Sequence, residues 1–354
     1  MHRSAHLDMP FCVDSVRNVL LLSFLQFVLL LAGGTRYGHG ADATDRAAPS
    51  NCFLGISTGP PSKVALVLSS FSTHVSPQQN LFVLLTTRAA EHESYFSHLV
   101  GRIVFVSIQY ADADLPLINM KRFQIFLEIL LHMGGLNEDG SEGLPQCSNV
   151  MFLDTYDVFF QGNPFDSPRY SGSLTFTTES KSVGEDIWNA QWIYNCYGIE
   201  ELKLLHNKTI ANGGVAFGPY SSIVTFTGHL LDEFDTRSFF DQPHPGIDGT
   251  GLFRYGGYVS SDATHSCWND QGFLNHLLHV RYSGSDMPFS APSNFENTVF
   301  TVGHNRPGAD FVWEGGTLYR LHSDNSRDVP SVVHQLNRFP HDWSLALSQY
   351  ALQA

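Results

Sequence analysis

The chain has 354 residues, 43% of them hydrophobic, 15% charged and 27 of them phenylalanine, which excludes disorder over most of its length. Its 20 basic against 34 acidic side chains give a formal charge of −14 and a sequence pI near 5.5. That excess of carboxylates excludes charge-driven binding of nucleic acid; it suits divalent cations, or simply a soluble surface.

Residues 19–32 read VLLLSFLQFVLLLA, with Arg3 and Arg17 on their N-terminal side. The run is shorter than the roughly 20 residues of a membrane-spanning helix and has the length of a signal-peptide core. The polar leader over residues 1–18 is more usual for a type II signal anchor. Residues 19–34 are therefore read as a cleaved signal or an uncleaved anchor, and both deliver the remainder to the secretory pathway. Residues 35–61, rich in Gly, Ala, Asp, Ser and Pro, read as a stem, and 62–354 as one folded domain. Cys52, Cys147, Cys196 and Cys267 follow the apolar run and allow two disulfides in three connectivities; Cys12 precedes it. Asn207-Lys208-Thr209 is an N-glycosylation sequon, meaningful in a lumenal chain.

Apolar runs predict buried strands over residues 64–68, 81–85, 103–108 and 150–153. Between them lie helices over 89–99 and 117–133, the second ended by Gly134-Gly135. Strands alternating with helices predict an α/β fold with a mostly parallel sheet and ligands at its carboxyl edge. Further on, strands are expected over 173–177 and 215–217, and helices over 184–195, 221–234 and 270–279. Gly-rich loops dominate 243–257.

The most informative segment is Phe152-Leu153-Asp154-Thr155-Tyr156-Asp157-Val158-Phe159-Phe160. Two acids three residues apart follow a buried strand, where a turn can aim both at one point. Their repulsion is relieved by protonation or by a hard cation. The plainer reading is one turn-capping Asp and one solvated one.

The run from Asp154 through Gln161-Gly162-Asn163-Pro164-Phe165 resembles the DxxDVxFQxxPF signature of secretory-pathway glycosyltransferases with the GT-A fold. The glycosyltransferase domains of collagen lysyl hydroxylases carry a related pattern. Residues 211–218 (ANGGVAFG) resemble an N-x-G-x-x-x-G turn, 269–275 (NDQGFLN) a DDQxxxN segment, and 333–341 (VHQLNRFPH) a closing HQYDRH motif. The resemblance covers residues 63–345. It implies a single GT-A (Rossmann-like) catalytic domain over 62–354, and a nucleotide-sugar donor, with a UDP-sugar the expected one. It also implies a glycan or glycoconjugate acceptor, and a Golgi or ER membrane location with a lumenal catalytic domain, or secretion if the leader is cleaved.

By the same resemblance Asp154, Asp157 and His334 ligate manganese or magnesium, the imidazole favouring manganese. Arg122 and Arg338 are candidates for the diphosphate, and Asn212, Gly213 and Gly214 bring unhindered backbone to the sugar. Asp270 is the acceptor-side carboxylate: a general base if the reaction inverts, an orienting group if it retains. A helix N-cap is the plainer role for Asp270. Residues 69–71, Ser69-Ser70-Phe71, are candidates for base or ribose contact, against ordinary turn chemistry. Trp188 and Trp192 read as core, with Trp192 able to stack on a ring. Asn269 and Asn337 stand where the patterns have Asp. They motivate the alternative of a weak or inactive relative that binds glycan or nucleotide. A metal-dependent phosphoesterase ranks last, because a paired-ion site needs more ligands.

Overall fold

Chain order sets a repeated strand–helix rhythm: β1 (Asn51–Ser57), α1 (Pro61–His74), β2 (Asn80–Thr86), α2 (Ala89–Tyr95), β3 (Ile103–Ser107), α3 (Ile118–His132) and β4 (Asn149–Leu153). The second half adds β5 (Val158–Phe160), β6 (Leu174–Ser182), α4 (Ile187–Tyr197), α5 (Ile199–Leu205), β7 (Thr209–Pro219) and α6 (Tyr220–Ser238). After these come β8 (Phe253–Tyr255), β9 (Tyr258–Ser260), α7 (Asp270–His276), β10 (Phe289–Ser290) and β11 (Val299–Thr301). The chain closes with β12 (Phe311–Glu314), β13 (Thr317–Leu321), β14 (Arg327–Asp328), β15 (Val332–His334) and α8 (Pro340–Tyr350). This computed structural model describes residues 49–99, 103–108, 118–133, 144–238, 253–255, 258–260, 269–283 and 287–350. The leader 1–18, the apolar segment 19–34, the stem to residue 48, Cys12, Gly134, Gly135, Cys267 and most of 243–257 lie outside the described residues. Among the described residues no helix is long and apolar enough to cross a membrane.

Seven strands form one sheet in the order β10-β6-β7-β4-β1-β2-β3. The run β4-β1-β2-β3 is parallel, as is β10 with β6, and β7 is antiparallel to both its neighbours. The fold is therefore α/β, with a mostly parallel mixed sheet flanked by helices. Side-chain alternation divides the core. Cys52, Leu54, Val83, Leu85, Val150 and Phe152 face α3, α6 and α7. Phe53, Phe82, Leu84, Met151 and Leu153 face α1, with Val64, Leu68 and Phe71 packed on them. The expected strands at 81–85, 103–108, 150–153, 173–177 and 215–217 all fall in the sheet, the last within the longer β7. The expected helices are present too, 184–195 split by a 3-10 turn at Val183–Glu185 and 270–279 widened into a π-turn at Leu277–Arg281.

Two expectations are corrected. Residues 64–68 are not a strand but the middle of α1. Every residue from Val64 to Phe71 is buried, so no polar face betrays the helical period, and a short apolar run fits either element. Pro61 in the first turn is the helix signal, since it lacks only an N–H that would go unpaired there. The true first strand, β1, lies inside the segment read as stem, its apolar core masked by the Pro- and Ser-rich flanks. Ser69, Ser70 and Phe71 are consequently buried in α1 and reach no cleft; Ser70 Oγ instead accepts from the Phe160 N–H at 3.0 Å.

A disulfide joins Cys52 in β1 to Cys147 just before β4, residues 95 apart in sequence, and Cys196 is also disulfide-bonded. The long loop it closes restricts the unfolded chain. A Cys52→Ala/Cys147→Ala double variant is expected to lose about 2–4 kcal/mol of stability, read from urea unfolding with the m-value fitted for each protein, since the less restricted unfolded chain should also raise m.

Candidate active site

β4 ends at Leu153 and presents Asp154 beyond the sheet edge, where its N–H donates to Gly214 O at 2.8 Å. The turn that follows is clamped to the end of β1. Thr155 Oγ1 donates to Ile56 O at 2.7 Å, and Tyr156 OH accepts from the Thr58 and Gly59 N–H groups at 3.2 and 3.1 Å. Asp157 then leads into β5. β15 pairs antiparallel with β5 in a register that sets His334 opposite Val158, and the Gln335 N–H donates to Asp157 O at 2.9 Å. Strand pairing thus carries a histidine from the end of the chain onto the carboxylate pair.

His334 is 1% exposed. Its Nε2 lies 3.6 Å from Asp154 Oδ2 and 3.5 Å from Asp157 Oδ1, and the three groups offer ligand atoms all within 4.8 Å of one another. Neither His334 ring nitrogen has a hydrogen-bond partner among the described residues, nor does Asp157 Oδ1, although all are buried. Unsatisfied buried polar atoms are costly, and a shared ion would satisfy two of these three. Ligand atoms about 2.1 Å from one ion stand about 3.0 Å apart in octahedral and about 3.4 Å apart in tetrahedral arrangement, so two carboxylates and an imidazole at this spacing fit a divalent cation.

Arg122 of α3 ties the cluster to the other wall. One Nη donates to Asp154 Oδ1; the other donates to Asp270 Oδ2 and, at 3.0 Å, to Gly213 O. Both of its Nη groups are therefore engaged by the protein, while its buried Nε has no partner among the described residues. Burial opposes ionisation of Asp154, but the charges of Arg122 and His334 outweigh it and hold the carboxyl down at about 2. Burial and the nearby Asp154 charge push Asp157 up. Asp270 is also pushed up by burial, against the pull of Arg122. For His334 burial opposes protonation, yet the charges of Asp157 and Asp154 prevail and raise it.

Asn212, Gly213 and Gly214 lie in β7 beside this cluster. Neither glycine has a positive φ. What glycine supplies is room: a Cβ on Gly214 would sit 2.5 Å from His334 Cε1 and 2.6 Å from Asp154 Oδ2, and one on Gly213 3.2 Å from Asp270 Oδ2. Asp270 opens α7, but the cap is Asn269, whose side chain accepts from the Gln271 N–H at 2.9 Å. Asn269 fills that role as well as an Asp would. Asp270 has both oxygens engaged, Oδ2 by Arg122 and Oδ1 by the Gln271 N–H at 2.9 Å.

Asp154, Asp157, Arg122, Asn212, Gly213, Gly214, Asp270 and Gln271 line a cleft of about 410 Å³ together with Ile56, Thr58, Thr155, Tyr156, Gln335 and Asn337, while His334 is buried against the two acids. Arg338 does not wall it. It is exposed on the 3-10 turn Leu336–Arg338, packs against Gly303 and acts on Asp157 only through its charge. Trp188 is 47% exposed rather than core, and Trp192 packs on Gly272 of α7.

Several neighbours escaped the sequence reading. Glu179 of β6, 4% exposed, accepts at Oε1 from Asn212 Nδ2 (2.8 Å) and Gln271 Nε2 (3.1 Å) and pairs at Oε2 with His304 Nε2 (2.8 Å). Gln271 Oε1 in turn accepts from the Gly213 N–H at 3.1 Å. An acid inside a Thr-rich strand was the one available signal. Gln335 adopts a left-handed backbone at φ 65°, a strained state for a non-glycine residue, and its buried Oε1 has no partner among the described residues. No protein-family model and no curated protein matches the chain.

If the Asp154–Asp157–His334 cluster takes Mn2+, Gly214→Ala should weaken that binding at least tenfold by displacing His334 or Asp154, read by titrating the free ion's electron paramagnetic resonance signal. Burial raises the Glu179 carboxyl, but hydrogen bonds from His304, Asn212 and Gln271 outweigh it and leave it below the usual range. A depressed folded-state value contributes stability that is complete above the ordinary carboxylate range and lost as pH falls through the depressed value. Glu179→Gln should therefore flatten the acid side of the stability–pH curve, measured by thermal unfolding across a pH series.

Proposed function

We propose that this chain is a metal-dependent glycosyltransferase of the GT-A type. It moves a sugar from a nucleotide sugar, a UDP-sugar by preference, to a glycan, protein or lipid acceptor in the secretory pathway. One observation carries the reading. Four separate segments that resemble glycosyltransferase motifs supply Asp154 and Asp157, Asn212 to Gly214, Asp270, and Gln335 with Asn337 to a single cleft, and the last of them buries His334 against the two acids. The cleft opens at the carboxyl ends of β1 and β4, where open α/β sheets bind ligands. The Cys52–Cys147 bridge suits an oxidising compartment.

In this reading Asp154, Asp157 and His334 hold manganese or magnesium. The bound ion supplies electrostatic neutralisation of the diphosphate as it leaves the anomeric carbon. Arg122 keeps Asp154 ionised and locks Asp270 at a fixed distance from it, a positioning role rather than a direct diphosphate contact. Gly213 and Gly214 leave the floor clear for the sugar. Asp270, with both oxygens already accepting hydrogen bonds, suits orientation of a hydroxyl better than removal of its proton. The alternative, an inactive relative that binds glycan or nucleotide, rests on Asn337, which lines the cleft where the closing motif has Asp.

Incubating the chain with Mn2+ and a panel of UDP- and GDP-sugars should release nucleoside diphosphate only with the ion present. Asp154→Ala and Asp157→Ala should each reduce that turnover at least a thousandfold while the protein stays folded; undiminished turnover in both would falsify the metal role. His334→Ala should chiefly raise the Mn2+ concentration needed. Saturable UDP-sugar binding without turnover would select the inactive-relative reading.

A further inference from the structure

We infer that Asn207 carries an N-linked oligosaccharide. Asn207-Lys208-Thr209 is the sole Asn-x-Ser/Thr triplet in the sequence with no proline at its centre. The structure places Asn207 and Lys208 in the turn after α5 and Thr209 at the start of β7, with all three residues exposed although Leu205 before them and Ile210 after them are completely buried. Most other asparagines of β7, α4 and the 294–305 segment face inward. Asn189, Asn195, Asn212, Asn294, Asn297 and Asn305 are buried and could not carry a bulky polar adduct.

The backbone of the turn is satisfied without the Asn207 side chain. The Lys208 N–H donates to Leu205 O at 2.9 Å, Lys208 O accepts from the Val183 N–H at 2.9 Å, and Thr209 O pairs with His279 Nε2 at 2.8 Å. No hydrogen bond of the described residues uses the Asn207 carboxamide, so its modification removes nothing from the fold. A large solvated adduct there projects from the rim and leaves both packed faces of the sheet untouched. The oxidised Cys52–Cys147 pair is the independent observation, because it belongs to the same compartments in which sequons are modified.

The donor is an oligosaccharide joined through a diphosphate to a lipid. Asn207 Nδ2 forms a C–N bond to the anomeric carbon, the anomeric C–O bond to the diphosphate breaks, the amide gives up one proton to a base, and the lipid keeps the diphosphate. The hydroxyl of Thr209 completes the acceptor pattern. This inference shares only the lumenal placement with the proposed glycosyltransferase activity and needs none of its site residues.

The test expresses the full chain in secretion-competent eukaryotic cells and reads electrophoretic mobility with and without an N-glycosidase. One discrete downward step on digestion is expected, with Asn207 converted to Asp in the peptide mass spectrum. Asn207→Gln and Thr209→Ala should each abolish the step, and Thr209→Ser should keep it; a step that survives Asn207→Gln overturns the assignment. Alkylation of free thiols in the same samples separates two failures. An unglycosylated chain whose Cys52 and Cys147 resist alkylation overturns the inference alone. An unglycosylated chain with both thiols free overturns it together with the lumenal placement.

Discussion

The site depends on one buried cation, the Arg122 guanidinium, shared between Asp154 and Asp270. Three carboxylates crowd the end of the sheet, and burial alone would drive them toward protonation. With its planar fork, Arg122 can serve two of them at once from the middle of a helix; a lysine, with a single compact charge, could not meet the same geometry. The consequence is asymmetric. Asp154 is held strongly ionised, while Asp157 remains close to a like charge with His334 as its nearest cationic partner. That residual conflict, together with unsatisfied nitrogens on a buried imidazole, makes the cluster receptive to a divalent ion.

Two packing features support this arrangement. The β5–β15 pairing lies beside the main sheet, and its hydrogen-bond register determines the angle at which His334 meets the acids. Phe159, Phe300, Phe311 and Val333 form a small core of their own beneath it. Behind the Asn212–Gly214 strand, Glu179 gathers donors from Asn212, Gln271 and His304, and its bonds to Asn212 and Gln271 restrain two residues that line the cleft. Gly303 leaves room for the Gln335 carboxamide, whose backbone is held in its strained conformation by the bond to Asp157 O. The irregular second half of the chain is therefore committed to holding the cleft.

Much of this was legible in the residues. Val150 to Leu153, ending in an acid, could only be a buried strand that delivers Asp154 to an edge. The periodicity of Phe123, Phe126 and Leu130 identified α3, and with it the helix that bears Arg122. The errors have physical causes. α1 is buried on all sides from Val64 to Phe71, which erases the amphipathic pattern that separates helix from strand, and β1 sits among turn-forming residues. The glycines at 213 and 214 were read as unhindered backbone, and their neighbours do leave no room for a Cβ on Gly214.

The sequence by itself determined the fold class, the strand-end position of the two acids and the presence of cysteines able to pair, because each follows from local patterning and side-chain chemistry. Only the tertiary structure decided that His334 meets those acids, that Arg122 is spent on carboxylates and not left free, that Arg338 stands outside the cleft, and that Glu179 belongs to the site. These are contacts between residues far apart in the chain, set by strand register and by what each neighbour excludes. No spacing along one segment encodes them.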